Sequence, residues 1–332
     1  MRNQYYDDYA PRPRRAKPVR THRRAGCLSA LLRLAFRLAA LIILLTLLGC
    51  IVLYFLPVGL LQVENDASLS PIDGLPTRTM NVLILGVDAL HQGSQRSDAM
   101  LIASIGGGLK LTSLQRDIVV PIEGYGDSKL NAAYAHGGAV LAVRTVNQAF
   151  LMNILRYVVV DYAAVVRMVD ALGGIELDIT QAEMVEINKN VWSVRSIFAP
   201  MGYTATELKV YGENVHLDGL QALGYARIRS IDSDFGRTNR QRRVIHAMLR
   251  RLQSALRYPN QLRTFVQTAL ETVQTNLTLP EALSLGAKAL FGGSIEQLRL
   301  PVNGSYIDNG STLQIADWAA NVSALRQFIY GE

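Results

Sequence analysis

Hydrophobic positions fall along this chain in two patterns with a clear boundary between them. Leu38–Leu61 reads LAALIILLTLLGCIVLYFLPVGLL, an unbroken apolar run without a charge in which only Thr46 is clearly polar. About 20 such residues suffice to cross a bilayer as a helix, so the run predicts one transmembrane segment, with Pro57 near its outer end. From residue 80 onward, short apolar runs alternate with segments of helical spacing. Met80–Val87 (MNVLILGV) has the form of a strand buried on both faces. Met100–Ile105 and Leu109–Leu114 flank Gly106-Gly107-Gly108 and predict a hairpin. Ala139–Phe150 and Ala163–Leu172 have helical spacing, with the β-rich run Tyr157–Val160 between them. Gly173-Gly174 stops the second helix, Gly137-Gly138 likewise reads as a helix stop, and Ile175–Ile179 resumes a strand. Leu220–Ala226 opens another helix. Arg237–Leu252 is amphipathic, with Val244, Ile245, Met248, Leu249 and Leu252 on one face. Strands alternating with helices imply a layered α/β fold, and the hairpin makes its sheet mixed. Thr180–Val215 shows no clear period and reads as an insertion over one sheet edge. There are no internal repeats, and residues 251–332 carry no sharp motif.

Charge fixes the orientation of the span. Residues 1–37 hold ten Lys and Arg against Asp7 and Asp8, whereas residues 38–332 hold 24 basic and 25 acidic groups. The basic excess therefore belongs entirely to the tail. The positive-inside rule places residues 1–37 in the cytoplasm and residues 62–332 outside. The tail, with Pro11, Pro13 and Pro18, is too poor in apolar residues to fold and reads as disordered, and Arg12–Arg24 suit anionic lipid at the inner leaflet. Leu47-Leu48-Gly49-Cys50 resembles a lipoprotein processing box, but Ile51–Leu61 stays apolar where a lipoprotein turns polar. Residues 62–79, with Pro71, Gly74 and Pro76, form a linker, and residues 80–332 a single large outer domain. Cys27 and Cys50 are the only cysteines, so that domain contains no disulfide. A near-neutral domain outside the cell argues against nucleic acid as a partner.

Polar groups collect where the predicted strands end. Asp88 follows the first strand, Arg96-Ser97-Asp98 precedes the second and Arg116-Asp117 follows the third. Loops converge on a rigid scaffold at such ends. Two carboxylates from neighbouring strands could share Mg²⁺, although each aspartate taken singly also fits a turn cap. A second cluster comprises Arg227, Arg229, Asp234, Arg237 and Gln241, the last two at i, i+4 on one helix face. Guanidinium groups suit phosphate because they donate paired, planar hydrogen bonds. Arg240, Arg242, Arg243, Arg250 and Arg251 read instead as a solvated helix face. There is no Walker-type phosphate loop and no Gly-x-Ser-x-Gly elbow, and the five histidines lack metal-ligand spacing.

The segments NVLILGVDAL, QRSDAMLIASI, LTSLQRDIVVPIEGYGDSKLNAAYAHGG, MVDALGGIELDI and LDGLQALGYARIRSIDSDFGRTNRQRRVI occur in that order over residues 80–250. Together, behind a single membrane anchor, they resemble the LytR-CpsA-Psr family. The resemblance implies an α-β-α sandwich with a central mixed sheet. It also implies an enzyme that moves a glycopolymer, of teichoic-acid or capsular type, from a polyprenyl-pyrophosphate carrier onto peptidoglycan. In that family the aspartates matching Asp88 and Asp98 bind the metal, Mg²⁺ or Mn²⁺. The pyrophosphate is held by arginines matching Arg96, Arg116, Arg227, Arg229 and Arg237, with Gln241 nearby. Asp117 and Asp234 match further acids that orient arginines. Two departures are visible: Ala89-Leu90 stand where the family often has a polar pair, and Ile118 where it usually has threonine. Alternatives that share the same site residues are a lipid-pyrophosphate sensor or attenuator, and a pyrophosphatase in which water replaces the sugar hydroxyl.

Overall fold

The computed structural model describes residues 67–76, 78–88, 96–106, 108–231, 234–291 and 295–331. The basic tail and the span at Leu38–Leu61 lie outside the described residues. Among those described, no helix is long and apolar enough to cross a membrane.

A six-stranded mixed sheet forms the centre. Its strands are β1 (Met80–Val87), β2 (Ser97–Ile105), β3 (Leu109–Leu114), β6 (Arg156–Asp161), β9 (Gln274–Thr275) and β10 (Glu296–Leu300), in the order β10-β3-β2-β1-β6-β9. Smaller pairs are β4 (Val119–Ile122) with β5 (Gly126–Lys129), β7 (Ile175–Ile179) with β8 (Gly212–Leu217), and β11 (Tyr306–Asp308) with β12 (Leu313–Ile315). The helices are α1 (Ala132–Phe150), α2 (Tyr162–Ala171), α3 (Gln181–Phe198), α4 (Gly219–Ala226), α5 (Asp234–Ala255), α6 (Pro259–Thr272), α7 (Leu279–Phe291) and α8 (Trp318–Tyr330).

β1 is apolar on both faces because both faces are covered. Leu83, Leu85 and Val87 pack with Val143, Val146 and Phe150 of α1 and Leu325 and Ile329 of α8. Val82 points the other way, into a cluster with Leu111, Leu277 and Leu285 of α7. Each fully buried aliphatic side chain contributes about 1.5–3 kcal/mol, so losing either cover would expose half of the strand. Gly137 (φ −148°, ψ 24°) and Gly138 (φ 63°, ψ −156°) interrupt α1 where the glycine pair predicts a stop, and the regular helix then runs to Phe150. The segment after residue 251, featureless in sequence, completes this core. β10 adds parallel to β3, and Tyr330 of α8 meets the buried Asn81 amide at 2.8 Å.

One sequence expectation is corrected here. Thr180–Val215 is no insertion over a sheet edge. It contains an 18-residue helix, α3, started by a capping box between Thr180 and Glu183. It also contains most of β8, which pairs antiparallel with β7. Ile187, Val191, Val194 and Phe198 of α3 form a second hydrophobic cluster with α2, α4 and α5. The helical period is weak in the sequence because the segment interleaves polar residues among these positions (QAEMVEINKNVWSVRSIF), which leaves a narrow apolar stripe.

Candidate active site

β1, β3 and β6 run parallel to one another, so their C-terminal ends share an edge with the start of the antiparallel β2. Asp88 leaves β1 there, Gln115-Arg116-Asp117 leave β3, and Asp161-Tyr162 lead from β6 into α2. A β-bulge shapes the spot. Gly86 pairs with Ala99 but Val87 pairs with Ser97, which leaves Asp98 out of the ladder. Such an extra residue bends the strand and re-aims a side chain. A Cβ on Gly86 would meet the Ala99 Cβ at 3.0 Å, so the close strand approach beside the bulge favours glycine.

Asp98 is the centre of the polar network. Its Oδ1 accepts from Arg116 at 2.5 Å, and its Oδ2 accepts from the Tyr162 hydroxyl at 2.7 Å and from Arg229 at 3.2 Å. Burial pushes the Asp98 carboxyl up, but the Tyr162 hydrogen bond and the Arg116, Arg229 and Arg237 guanidiniums outweigh it and hold the group below its ordinary value. Tyr162 is pushed the opposite way by burial and by the neighbouring Asp98 and Asp88 charges, so it stays a protonated donor. The Arg227 guanidinium lies over the Tyr162 ring at 5.4 Å. Arg116 also reaches Asp117 at 3.2 Å, and Asp117 takes Lys129 at 2.8 Å.

Arg227 and Arg229 come from the turn that follows α4. Arg227 is the C-cap of that helix, and Ile228 between the two is fully buried, so the two arginines flank an anchor. The Arg227 Nη1 is buried without a hydrogen-bond partner among the described residues. Arg237 and Gln241, one turn apart on α5, line a narrow recess with Asp98 and Arg116, and Arg237 is 2% exposed. A cleft of about 430 Å³ brings together Asp88, Asp98, Arg227 and Arg229 with Glu186, Asn190 and Ser230. Arg96 stands exposed next to this edge, its carbonyl accepting the Asp88 N–H at 3.3 Å. Asp234 begins α5, and its side chain lies outside the described residues. Among the described residues no group of three or more His, Cys, Asp and Glu is arranged to hold a metal.

The arginines read as a solvated helix face need correction. Arg240 is 5% exposed and pairs with Glu183 of α3 at 3.2 Å. Arg243 donates to the Asp178 carbonyl at 2.7 Å and lies over the Tyr225 ring. Arg251 donates to the Leu172 carbonyl at 2.9 Å. Arg242 is half-buried; burial and the nearby Arg299 lower its pKa. Of the five, Arg250 keeps the exposed character, with a long 3.5 Å contact to the Glu176 carbonyl. Helix spacing tells which residues share a face, but not what that face meets. The sequence reading also missed Tyr162, Glu186, Asn190 and Ser230. For Tyr162 the available signal was its place directly after a strand and its N-cap, Asp161; Glu186 and Asn190 sit on the helix that went unrecognised.

Residues 62–327 match the LytR_cpsA_psr family. Regulatory protein MsrR of Staphylococcus aureus (strain COL) is 28% identical over 284 residues, spanning 80% of this chain and 76% of MsrR. The polyisoprenyl-teichoic acid–peptidoglycan teichoic acid transferase TagU of Enterococcus faecalis is 33% identical over 248 residues, 71% of this chain and 74% of TagU. In fold, the chain resembles YwtF (TagT) of Bacillus subtilis, solved with bound octaprenyl pyrophosphate lipid. The TM-score is 0.56 at 22% identity, covering 83% of this chain and 100% of that one. With the family spanning most of its length, this chain belongs to the LytR-CpsA-Psr family.

Proposed function

We propose that the chain is a membrane-anchored phosphotransferase that moves a glycopolymer from a polyprenyl-pyrophosphate carrier onto peptidoglycan, with residues 62–332 on the outer face of the membrane. The observation that carries this reading is the cleft itself. Two carboxylates from adjacent strand ends share it with Arg227 and Arg229, and Arg116 borders it through Asp98. The name of TagU and the lipid bound to TagT support the same substrate class.

An acceptor sugar hydroxyl attacks the phosphorus nearer the glycan. A new P–O bond forms, the bridging P–O bond to the polyprenyl phosphate breaks, and the hydroxyl proton passes to the departing phosphate or to water. Such transfers depend on in-line positioning and charge neutralisation. Arg227 and Arg229 fit the role of holding the pyrophosphate through planar, paired donors, and Arg237 and Gln241 border the same carboxylate from α5. Arg229 now rests on Asp98, so it is pre-positioned and can turn to an incoming phosphate with little change in its neighbours. The donor set suits Mg²⁺, which commonly binds through one or two carboxylates plus substrate phosphates. Asp98 already accepts three hydrogen bonds, so Asp88 would have to share in holding the ion. Mg²⁺ held there would supply charge neutralisation and polarisation of the pyrophosphate.

The regulatory reading rests on the name of MsrR. One experiment separates the readings: full-length chain in detergent, labelled lipid-linked glycan, Mg²⁺ and peptidoglycan. Label in the wall polymer is the expected result. Label released as sugar phosphate would make the chain a hydrolase, and unchanged lipid would make it a sensor.

A further inference from the structure

The cleft is chemically divided. Its floor is cationic around Asp98, whereas its α3 wall presents Glu186 and Asn190, with exposed Ser230 beside them. Glu183, Glu186 and Asn190 recur at i, i+3 and i+7, so they form one polar stripe along α3. Two of the three serve the packing. Glu183 takes the buried Arg240, and the Asn190 amide donates to the Gly224 carbonyl at 2.9 Å, where α3 and α4 cross so closely that a Cβ on Gly224 would meet the Ile187 carbonyl at 3.0 Å. Glu186 is different. Lys189 holds its Oε1 at 2.5 Å and the Ser230 hydroxyl holds its Oε2, so the carboxylate is fixed in place at the cleft wall. Those two hydrogen bonds hold its carboxyl below the ordinary range, which keeps it a charged acceptor.

Asp98 is neutralised by Arg116 and Arg229, whereas Glu186 is tied to Lys189 and Ser230 away from those arginines, so it would repel a phosphate and suits a neutral ligand rich in hydroxyl donors. From this we infer that the α3 wall, through Glu186 and Ser230, binds the acceptor sugar of the transfer. The inference rests on the transferase reading above and names the position of its second substrate. The acceptor hydroxyls donate to Glu186, and the attacking oxygen is thereby set across the cleft from the arginine-held pyrophosphate.

The test uses full-length chain in detergent and two measurements. In transfer kinetics, Glu186→Gln should raise KM for a disaccharide-peptide fragment of peptidoglycan by about tenfold. KM for the lipid-linked donor and the Mg²⁺ requirement should stay put. Glu186→Asp should recover part of the loss. In titration with the disaccharide alone, followed by NMR, wild type should show shifts along α3 that Glu186→Gln lacks. A changed donor KM or Mg²⁺ requirement with an unchanged acceptor KM overturns the inference, as do sugar shifts elsewhere on the protein. Absence of transfer in wild type with sugar still bound at α3 would remove the transferase reading and leave the sugar site standing.

Discussion

Two groups of arginine, eleven residues apart at their nearest, look alike in sequence and behave differently in the fold. Arg227 and Arg229 leave α4 around a buried isoleucine and open into the cleft, where Arg229 is about half exposed at its side chain. Arg240, Arg243 and Arg251 ride on α5 and are used up in tertiary ties to α3, to β7 and to the end of α2. A guanidinium has five donors. Where a packed element supplies the acceptors, the arginine becomes structural, and where a cleft faces it, the donors stay available to a ligand. The Glu183–Arg240 pair links the groups, because Arg240 also approaches the carbonyl of Ile228, between Arg227 and Arg229.

The sharpest way to break this contrast is at that pair. Glu183→Ala should cost about 3–5 kcal/mol, because removing one partner strands a buried charge, and urea unfolding monitored by circular dichroism would read it. The double variant Glu183→Leu with Arg240→Met should recover much of that loss. An unaffected single variant would return Arg240 to the solvated face.

Next in size come the cleft arginines. Arg227→Lys and Arg229→Lys should each weaken a polyprenyl-pyrophosphate analogue by about tenfold, since lysine keeps the charge and loses the planar fork. Stability should move by no more than about 0.5 kcal/mol. A stability loss without an affinity loss would place these arginines with the structural group.

Tyr162→Phe should act more mildly, through pH. Asp98 is held below its ordinary value, so its ion pairs stabilise the fold above the unfolded pKa of about 3.9 and are lost as the pH falls through the lower folded value. Without the hydroxyl, burial is less opposed and the folded value rises, so the acid limb of kcat/KM should shift to higher pH. An unshifted limb would show that the arginines alone set Asp98. The smallest effect belongs to Arg250→Ala, which should leave both stability and analogue affinity within about 0.5 kcal/mol of wild type, as suits an exposed, long contact.

Sequence alone determined those features that depend on local pattern. The run MNVLILGV could only be a strand covered on both faces, because it carries no polar alternation to leave a face in water. The glycines at 106–108 and 137–138 marked breaks between apolar runs, and Gly138, at φ 63°, holds a backbone that favours glycine. The placement of Asp88, Asp98 and Arg116 at strand ends followed from those strands. Tertiary structure decided what adjacency in sequence does not encode. It brought Tyr162, 64 residues away, to within 2.7 Å of Asp98 through the parallel pairing of β1 with β6. It turned Asp98 out of its ladder by a one-residue bulge that depends on the register of two strands. It buried Arg240 against a helix whose narrow apolar stripe gave no clear period. Periodicity reports which residues share a face of one element. Which charges on that face are consumed, and which remain for a ligand, is set by the element packed against it, and that is a property of the whole chain.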